Sequence, residues 1–408
     1  MHDHECDVGV IGGGLAGAAA ALAFAKQGCS VRLFERRDLT RDPNRGDILH
    51  APTVHVVEQL GLLGLLEARG AAKWHGLEII DSAGTLSVAS EVRESWLLNH
   101  AEMEGVFLEA AAAAGVVVQQ DRVRMLERDE GSVRGGWLLA TDNGTTSARL
   151  LVGADGADSM TRKTLGIPLE DVHEYENWIV VLHSPTPSWL RTDHGWTLLH
   201  PEGTVWILPT TPVGRHRVVL TVRREEARDW MALGADELGE RLERRWPPLS
   251  ELKLNKRGGS HVYRVKRQHA ARYSGPRAAI TGDAVHTIHP VGGQGLNIAI
   301  QDSAKLAELL GPVLIDDGAS ERAFTDALVE YEANRRPINT GTLEVAHLGA
   351  QIAGPGREPY EKAVEFYRQA ASDPGWVRRY MANFGGRLDQ RGPDHDPAIL
   401  PASLADKP

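Results

Sequence analysis

From Asp7 the chain reads DVGVIGGGLAGAAAALAFAKQGCSVRLFERR: an apolar strand, a glycine turn, an alanine-rich helix stopped at Gly28, a second strand and an acid. This is the pattern of a dinucleotide-binding strand–helix–strand unit. Gly12 permits the tight turn, Gly14 lets main chain approach a pyrophosphate, and Gly17 lets the helix lie close on the strand. The positive end of the helix then faces the phosphates. Glu35 ends the second strand at about the 20-residue spacing at which a carboxylate accepts hydrogen bonds from a ribose diol. The unit alone recognises an adenosine diphosphate and does not separate FAD from NAD. Glu35 disfavours a 2′-phosphate here, because two anions would meet, so any NADPH is expected to bind elsewhere.

At 408 residues the chain exceeds what one core fills, since single cores stop growing at about 250–300 residues. Its 45 basic and 55 acidic side chains give a net charge of −10 without a long basic run, which argues against nucleic acid. Cys6 and Cys29 are too few for a disulfide framework and fit a reducing cytoplasm. The uncharged run from Val8 to Ala25 is broken by glycines into strand and helix, so no membrane span is expected, and the acidic front of the chain is unlike an export signal.

Two later stretches narrow the cofactor. LLVGADGADSMTR, residues 150–162, is an apolar strand running into Asp155-Gly156, with Ser159 and Arg162 on the following turn. GDAVHTIHPVGGQGLN, residues 282–297, places Asp283, Pro290 and three glycines ahead of a helix that begins near Leu296. A reduced isoalloxazine carries negative charge at one edge, which amides at a helix N-terminus stabilise. Gly292, Gly293 and Gly295 would bring bare backbone to that edge, and Pro290 stiffens the loop with its carbonyl facing whatever lies over the ring. The spacing of His286, His289 and Asp283 is not that of a metal site, and no metal is expected. His286 reads as a structural residue oriented by a nearby carbonyl, and the alternative for Asp155 with Arg162 is an ion pair at a strand end.

Together the three stretches resemble the fingerprints of the single-component flavoprotein aromatic hydroxylases, the para-hydroxybenzoate hydroxylase group, over residues of about 5 to 350. The resemblance implies that Asp155 and Gly156 serve both FAD and NAD(P)H, and that Asp283 holds the ribityl or pyrophosphate part of FAD. It also implies that Arg45, in RGDIL, lies near flavin and substrate. Arg36, Leu296 and Asn297 complete the expected cofactor contacts beside Gly12, Gly14, Gly17, Glu35, Arg45, Pro290, Gly293 and Gly295, with Arg45 and Pro290 as positioning groups in catalysis. His100 stands where relatives usually carry an arginine that contacts FAD.

The expected fold is α/β: a FAD-binding Rossmann-like domain with an inserted, mostly antiparallel β-sheet substrate domain and a helical C-terminal part. Residues 1–72, 99–171 and 274–350 are assigned to the FAD-binding domain, 73–98 and 172–273 to the substrate domain, and 351–408 to a helical segment and irregular tail. Runs such as WIVVLHS, TVWILP and HRVVLTVRR crowd β-branched and aromatic residues between turns. Period-2 reasoning nominates His183, Trp196, Trp206 and Leu208 to line a pocket over the flavin, with the opposite sheet face as the other placement. The chain after Ala299 reads as helical, with a kink at Arg335-Arg336-Pro337 that also resembles the family, and the last helix, near EKAVEFYRQAA, is expected to pack on the core.

The resemblance implies a cytoplasmic monooxygenase of secondary metabolism, monomer or homodimer. NAD(P)H would reduce FAD, and O2 would form a flavin C4a-hydroperoxide that hydroxylates an aromatic or polycyclic small molecule, phenolic or nitrogen-bearing. Three rivals share the fold. A halogenase is suggested by TVWILP, half of a WxWxIP signature with Trp206, Leu208 and Pro209 but Thr204 in the first position, and would need Lys73 as its lysine. The others are a flavin-dependent reductase of isoprenoid double bonds and a non-catalytic nucleotide-fold binding protein.

Overall fold

A computed structural model describes residues 4–38, 47–129, 136–254 and 261–372, apart from the side chains of 88–94 and 261. Strand His4–Ile11 lies between Val31–Glu35 and Thr145–Gly153, all parallel, and Val117–Gln120 and Ala278–Ile280 extend the sheet on either side. A meander of Val123–Arg128 and Trp137–Thr141 pairs antiparallel onto Thr145–Gly153. The central strands carry apolar runs where the sheet is covered, Val8–Ile11 broken only by Gly9 and Leu150–Val152. The first helix, Leu15–Lys26, buries Ala18 to Ala23 because it runs so close to the sheet. A side chain at Gly17 would begin 1.8 Å from the Gly12 carbonyl oxygen, and one at Gly12 (φ +101°) 2.3 Å from that of Ala154.

A second, eight-stranded sheet runs in the order His261–Tyr263, Asn177–Pro185, Arg215–Arg223, Val205–Thr210, His194–Leu199, Ala72–Asp81, Ser87–Leu97, Ile48–Leu49. Every pairing is antiparallel except that of His194–Leu199 with Ala72–Asp81. It thus draws in Ile48–Leu49 from a stretch that the sequence had grouped with the nucleotide-binding part. One face is covered by helices Ala227–Ala232 and Ala235–Glu243, which bury Trp230, Leu238 and Leu242 against Val180, Leu198 and Ile207.

Three strands, Leu169–Glu174, Lys266–Ala270 and His286–Thr287, form a small antiparallel sheet. Helix Gly295–Ile315 packs on the first helix, and Glu321–Ala353 is one helix of 33 residues that contains Pro337. The last described helix, Arg357–Ser372, covers its apolar side with Ile79, Leu86 and Leu199 of the second sheet. Among the described residues no helix is long and apolar enough to cross a membrane, and no group of His, Cys, Asp or Glu is arranged to hold a metal.

Candidate active site

The glycine-rich turns converge at the start of the first helix. Gly12 contacts Ala154 and Asp155, while Gly282 (φ +62°) approaches so closely that an added side chain would sit 2.6 Å from the Ala16 methyl. The turn Gly282–Ala284 therefore sets Asp283 beside the helix N-terminus. Ser303, on helix Gly295–Ile315, donates to the Ala16 carbonyl at 2.8 Å and fixes the late motif against the early one.

Asp155 works inside its own turn. Its carboxylate accepts the Ser159 hydroxyl at 2.5 Å and the Thr161 amide at 2.9 Å, while Ser159 caps helix Met160–Thr164. Arg162 does not form the ion pair considered for it; it donates to the Ala157 and Ala284 carbonyls, each at 3.1 Å, tying the middle motif to the Asp283 turn. Gly156 (φ +84°) faces open space.

At the strand end, Glu35 is buried and accepts the Gly13 amide at 2.8 Å and the Arg37 amide at 2.7 Å. The guanidinium that reaches it, at 3.1 Å, belongs to Arg37, and Arg36 is exposed. Arg37 also reaches Glu104 at 3.3 Å. Burial tends to raise the Glu104 carboxyl, but a hydrogen bond from His100 and the nearby Arg37 outweigh it and hold the group below its ordinary value.

In the glycine loop, Gly292 (φ +84°) and Gly293 (φ +65°) shape a turn in which the Gly293 amide donates to the Pro290 carbonyl at 2.9 Å. Helix Gly295–Ile315 has no side-chain cap, so its first-turn amides, Gly295, Leu296 and Asn297, lack intrahelical partners. Asn297, fully buried, accepts the His50 amide at 2.8 Å through Oδ1 and donates through Nδ2 to the carbonyls of Gly293 at 2.8 Å and Ile48 at 3.0 Å. The His50 ring meets the Gly292 carbonyl at 2.8 Å through Nε2; burial lowers its pKa, leaving it neutral. Three residues earlier Asp47 pairs with Arg217 at 3.5 Å and accepts the Thr210 hydroxyl, anchoring the same short peptide to the second sheet. His50, Asp47 and Arg217 carry no sequence signal, because only the tertiary fold brings them to the loop. Arg45 lies outside the described residues.

His286 is held by a carboxylate, not a carbonyl: its Nε2 lies 2.7 Å from Asp302, which also binds Arg335 at 2.5 Å. His289 is buried edge-on to Tyr175, with ring centroids 4.9 Å apart, and burial drives its pKa down to about 3.

The nominated pocket residues divide by register. Leu208 packs with Ile48, Trp74 and Leu97, and Ile48 in turn lies 3.9 Å from the Gly293 position. Trp206 joins Tyr175, Ile179 and Val181 on that same face. His183, in cross-strand register with Arg217 and thence Leu208, shares the face too. Trp196 does not. It pairs with Ile207 while Thr197 pairs with Trp206, so pleating turns it to the opposite face, where it meets Trp189 edge-on and Trp246 in a tilted contact at centroid distances of 5.3 and 4.4 Å.

The residues fit FAD. The glycine turn and uncapped first helix offer amides for a pyrophosphate, Glu35 keeps acceptor capacity for a ribose diol, and an added side chain at Gly293 would meet nothing nearer than 3.8 Å. That last position opens beside unpartnered helix amides, the donor set a negative ring edge requires.

Residues 5–346 match a family model described as FAD binding domain. A ubiquinone hydroxylase, UbiL, of Rhodospirillum rubrum is 30% identical over 84% of this chain and 80% of its own length. A 3-amino-4-hydroxybenzoate 2-monooxygenase, PtnB3, of Streptomyces platensis is 27% identical over 83% of this chain and 88% of its own. Among solved structures, PqsL of P. aeruginosa in complex with 2-aminobenzoylacetate superposes with a TM-score of 0.76 at 27% identity, covering 88% of this chain and 98% of that one.

Proposed function

The chain belongs to the FAD binding domain family and is a flavoprotein oxidoreductase, and from that premise we propose that it uses NAD(P)H and O2 to hydroxylate an apolar aromatic or polycyclic molecule, phenolic or nitrogen-bearing. The observation that carries this reading is the juxtaposition of the open Gly293 backbone, the unpartnered amides of helix Gly295–Ile315 and the apolar sheet face reached through Ile48. The hydroxylase and monooxygenase names of the relatives support it.

Bound FAD would supply the redox chemistry, taking electrons from NAD(P)H and delivering one oxygen atom of O2 to the substrate. Gly12, Gly14 and Gly17 would let the first helix face the pyrophosphate, Glu35 would accept from the ribose, and Asp283 would bind the ribityl or pyrophosphate part. Asn297 and His50 hold the carbonyls of Gly293 and Gly292, which would keep the loop shape that leaves Gly295 and Leu296, at the start of the helix, only partly buried. Trp206, Leu208 and His183 would line the substrate side, where apolar walls exclude water.

A halogenating role for Lys73 has no support in its placement: the side chain is exposed, its ammonium 5.7 Å from the Trp96 ring, while the adjacent Trp74 faces the Leu208 cluster. The free, buried Cys6 and Cys29 accord with a cytoplasmic protein.

The test is direct. Purified protein should show a flavin visible spectrum, and a screen of aromatic compounds should find some that accelerate NAD(P)H oxidation with O2 consumed and a product one oxygen heavier. Protein that takes up no FAD, or a turnover that consumes no O2, defeats the proposal.

A further inference from the structure

The ADP end of the cleft contains a charge that the cofactor does not need. Gly14 is the N-cap of the first helix, and that helix has no acidic residue in its first turn. A carboxylate nevertheless reaches the spot from another element. Glu104 Oε1, on helix His100–Ala113, lies 3.4 Å from the point where a Gly14 side chain would begin, and Arg37 Nη2 lies 3.9 Å from it. Among the described residues, the Glu104 carboxylate is the nearest side-chain group to that point.

Among the described residues, the neutralisation around it is shared. One guanidinium, half-exposed Arg37, is shared between two buried carboxylates, Glu35 at 3.1 Å and Glu104 at 3.3 Å. The other partner of Glu104 is His100, Nε2 to Oε1 at 3.7 Å, which carries charge only when protonated. Glu104 is itself ionised at neutral pH, since His100 and Arg37 outweigh its burial. A pyrophosphate arriving at the helix terminus brings two further negative charges, and repulsion across a few ångströms of partly buried protein opposes it.

We propose that Glu104 holds the affinity of this chain for FAD down, so that the cofactor exchanges with solution; the inference rests on the flavoprotein reading above. Glu35 would have a ribose to bind, whereas Glu104 stands beside the helix terminus that would receive the phosphates. Its two partners set how much of its charge the cofactor meets.

Two substitutions remove that charge differently. Glu104→Gln deletes it while keeping a carbonyl oxygen for Arg37, and His100→Arg places a permanent cation against it. Stripped wild-type and variant proteins are titrated with FAD by quenching of flavin fluorescence, with riboflavin, which has no pyrophosphate, as the control. Each variant should bind FAD about tenfold more tightly, the scale of one unit charge in a partly solvated site. Riboflavin binding should be unchanged. Affinity for FAD equal to or weaker than wild type in both variants overturns the proposal and leaves Glu104 as the support of Arg37. If FAD quenches with none of the three proteins, the flavoprotein reading falls and takes the inference with it.

Discussion

Replacing Asn297 with alanine tests how the ring-binding loop is held. The side chain makes three hydrogen bonds in a fully buried position, and its loss strands the His50 amide and the carbonyls of Ile48 and Gly293. Each stranded buried group costs about 1–3 kcal/mol, so even the lower limit gives ~3 kcal/mol. At about 2.1 cal/mol/K of unfolding entropy per residue, 1 kcal/mol moves the Tm of a 408-residue chain by about 1 °C, which predicts a fall of roughly 3–4 °C at that lower limit. Asn297→Asp should not rescue it, because the carboxylate still accepts the His50 amide but turns a second oxygen towards two carbonyls. The assay is thermal unfolding of both variants with and without FAD, alongside FAD affinity. The ligand-induced rise in Tm should shrink as well, because the loop loses its shape. A variant melting within about 2 °C of wild type, with FAD binding intact, would show that Asn297 does not hold the loop.

Asp283→Ala should weaken FAD binding by about tenfold or more, read as flavin retained on gel filtration, since charge-assisted hydrogen bonds contribute about 1.5–3 kcal/mol. Trp206→Ala should raise KM for an aromatic substrate by about tenfold with little change in Tm, whereas Trp196→Ala should cost about 3–5 kcal/mol of stability and leave KM alone. The reverse pattern would invert the assigned faces. His289 is held neutral by burial, with its pKa lowered from 6.5 to about 3. Both folded and unfolded chains are neutral there above pH 6.5; below it only the unfolded chain takes the proton. Its stabilising contribution is therefore full above 6.5 and declines by ~1.4 kcal/mol per pH unit as pH falls towards 3. Denaturant unfolding between pH 7 and 5 should show a shallower pH slope in His289→Gln, and an unchanged slope would count against the assignment.

The nucleotide-binding half was legible because its signals are local. The turn that needs Gly12 and the close approach that needs Gly17 are written within one short stretch, and Glu35 follows at a fixed spacing. Asp155 and the loop ahead of Gly295 were legible for the same reason. Contacts made across the fold were not. Arg36 and Arg37 are adjacent, and only the bend after Glu35 decides which one turns inwards. Trp196 and Trp206 both belong to alternating strands, but alternation gives two faces without saying which is inner, and that depends on the pairing of Trp196 with Ile207. His286 was assigned a carbonyl because Asp302 lies 16 residues further along, two turns into the next helix. Glu104 gave little warning, since only His100 lies on its own helix, one turn back, whereas Gly14 and Arg37 come from two other segments.

Ile48–Leu49 pairs with the edge of the large sheet while its next neighbour, His50, touches the glycine loop. Anyone grafting a foreign sheet onto this nucleotide-binding half would therefore find no clean seam at residues 47–50. A chimera that takes the sheet but keeps this tetrapeptide's native anchor points apart would mis-set the loop on one side or lose the Asp47–Arg217 tether on the other, so the graft has to carry both ends together.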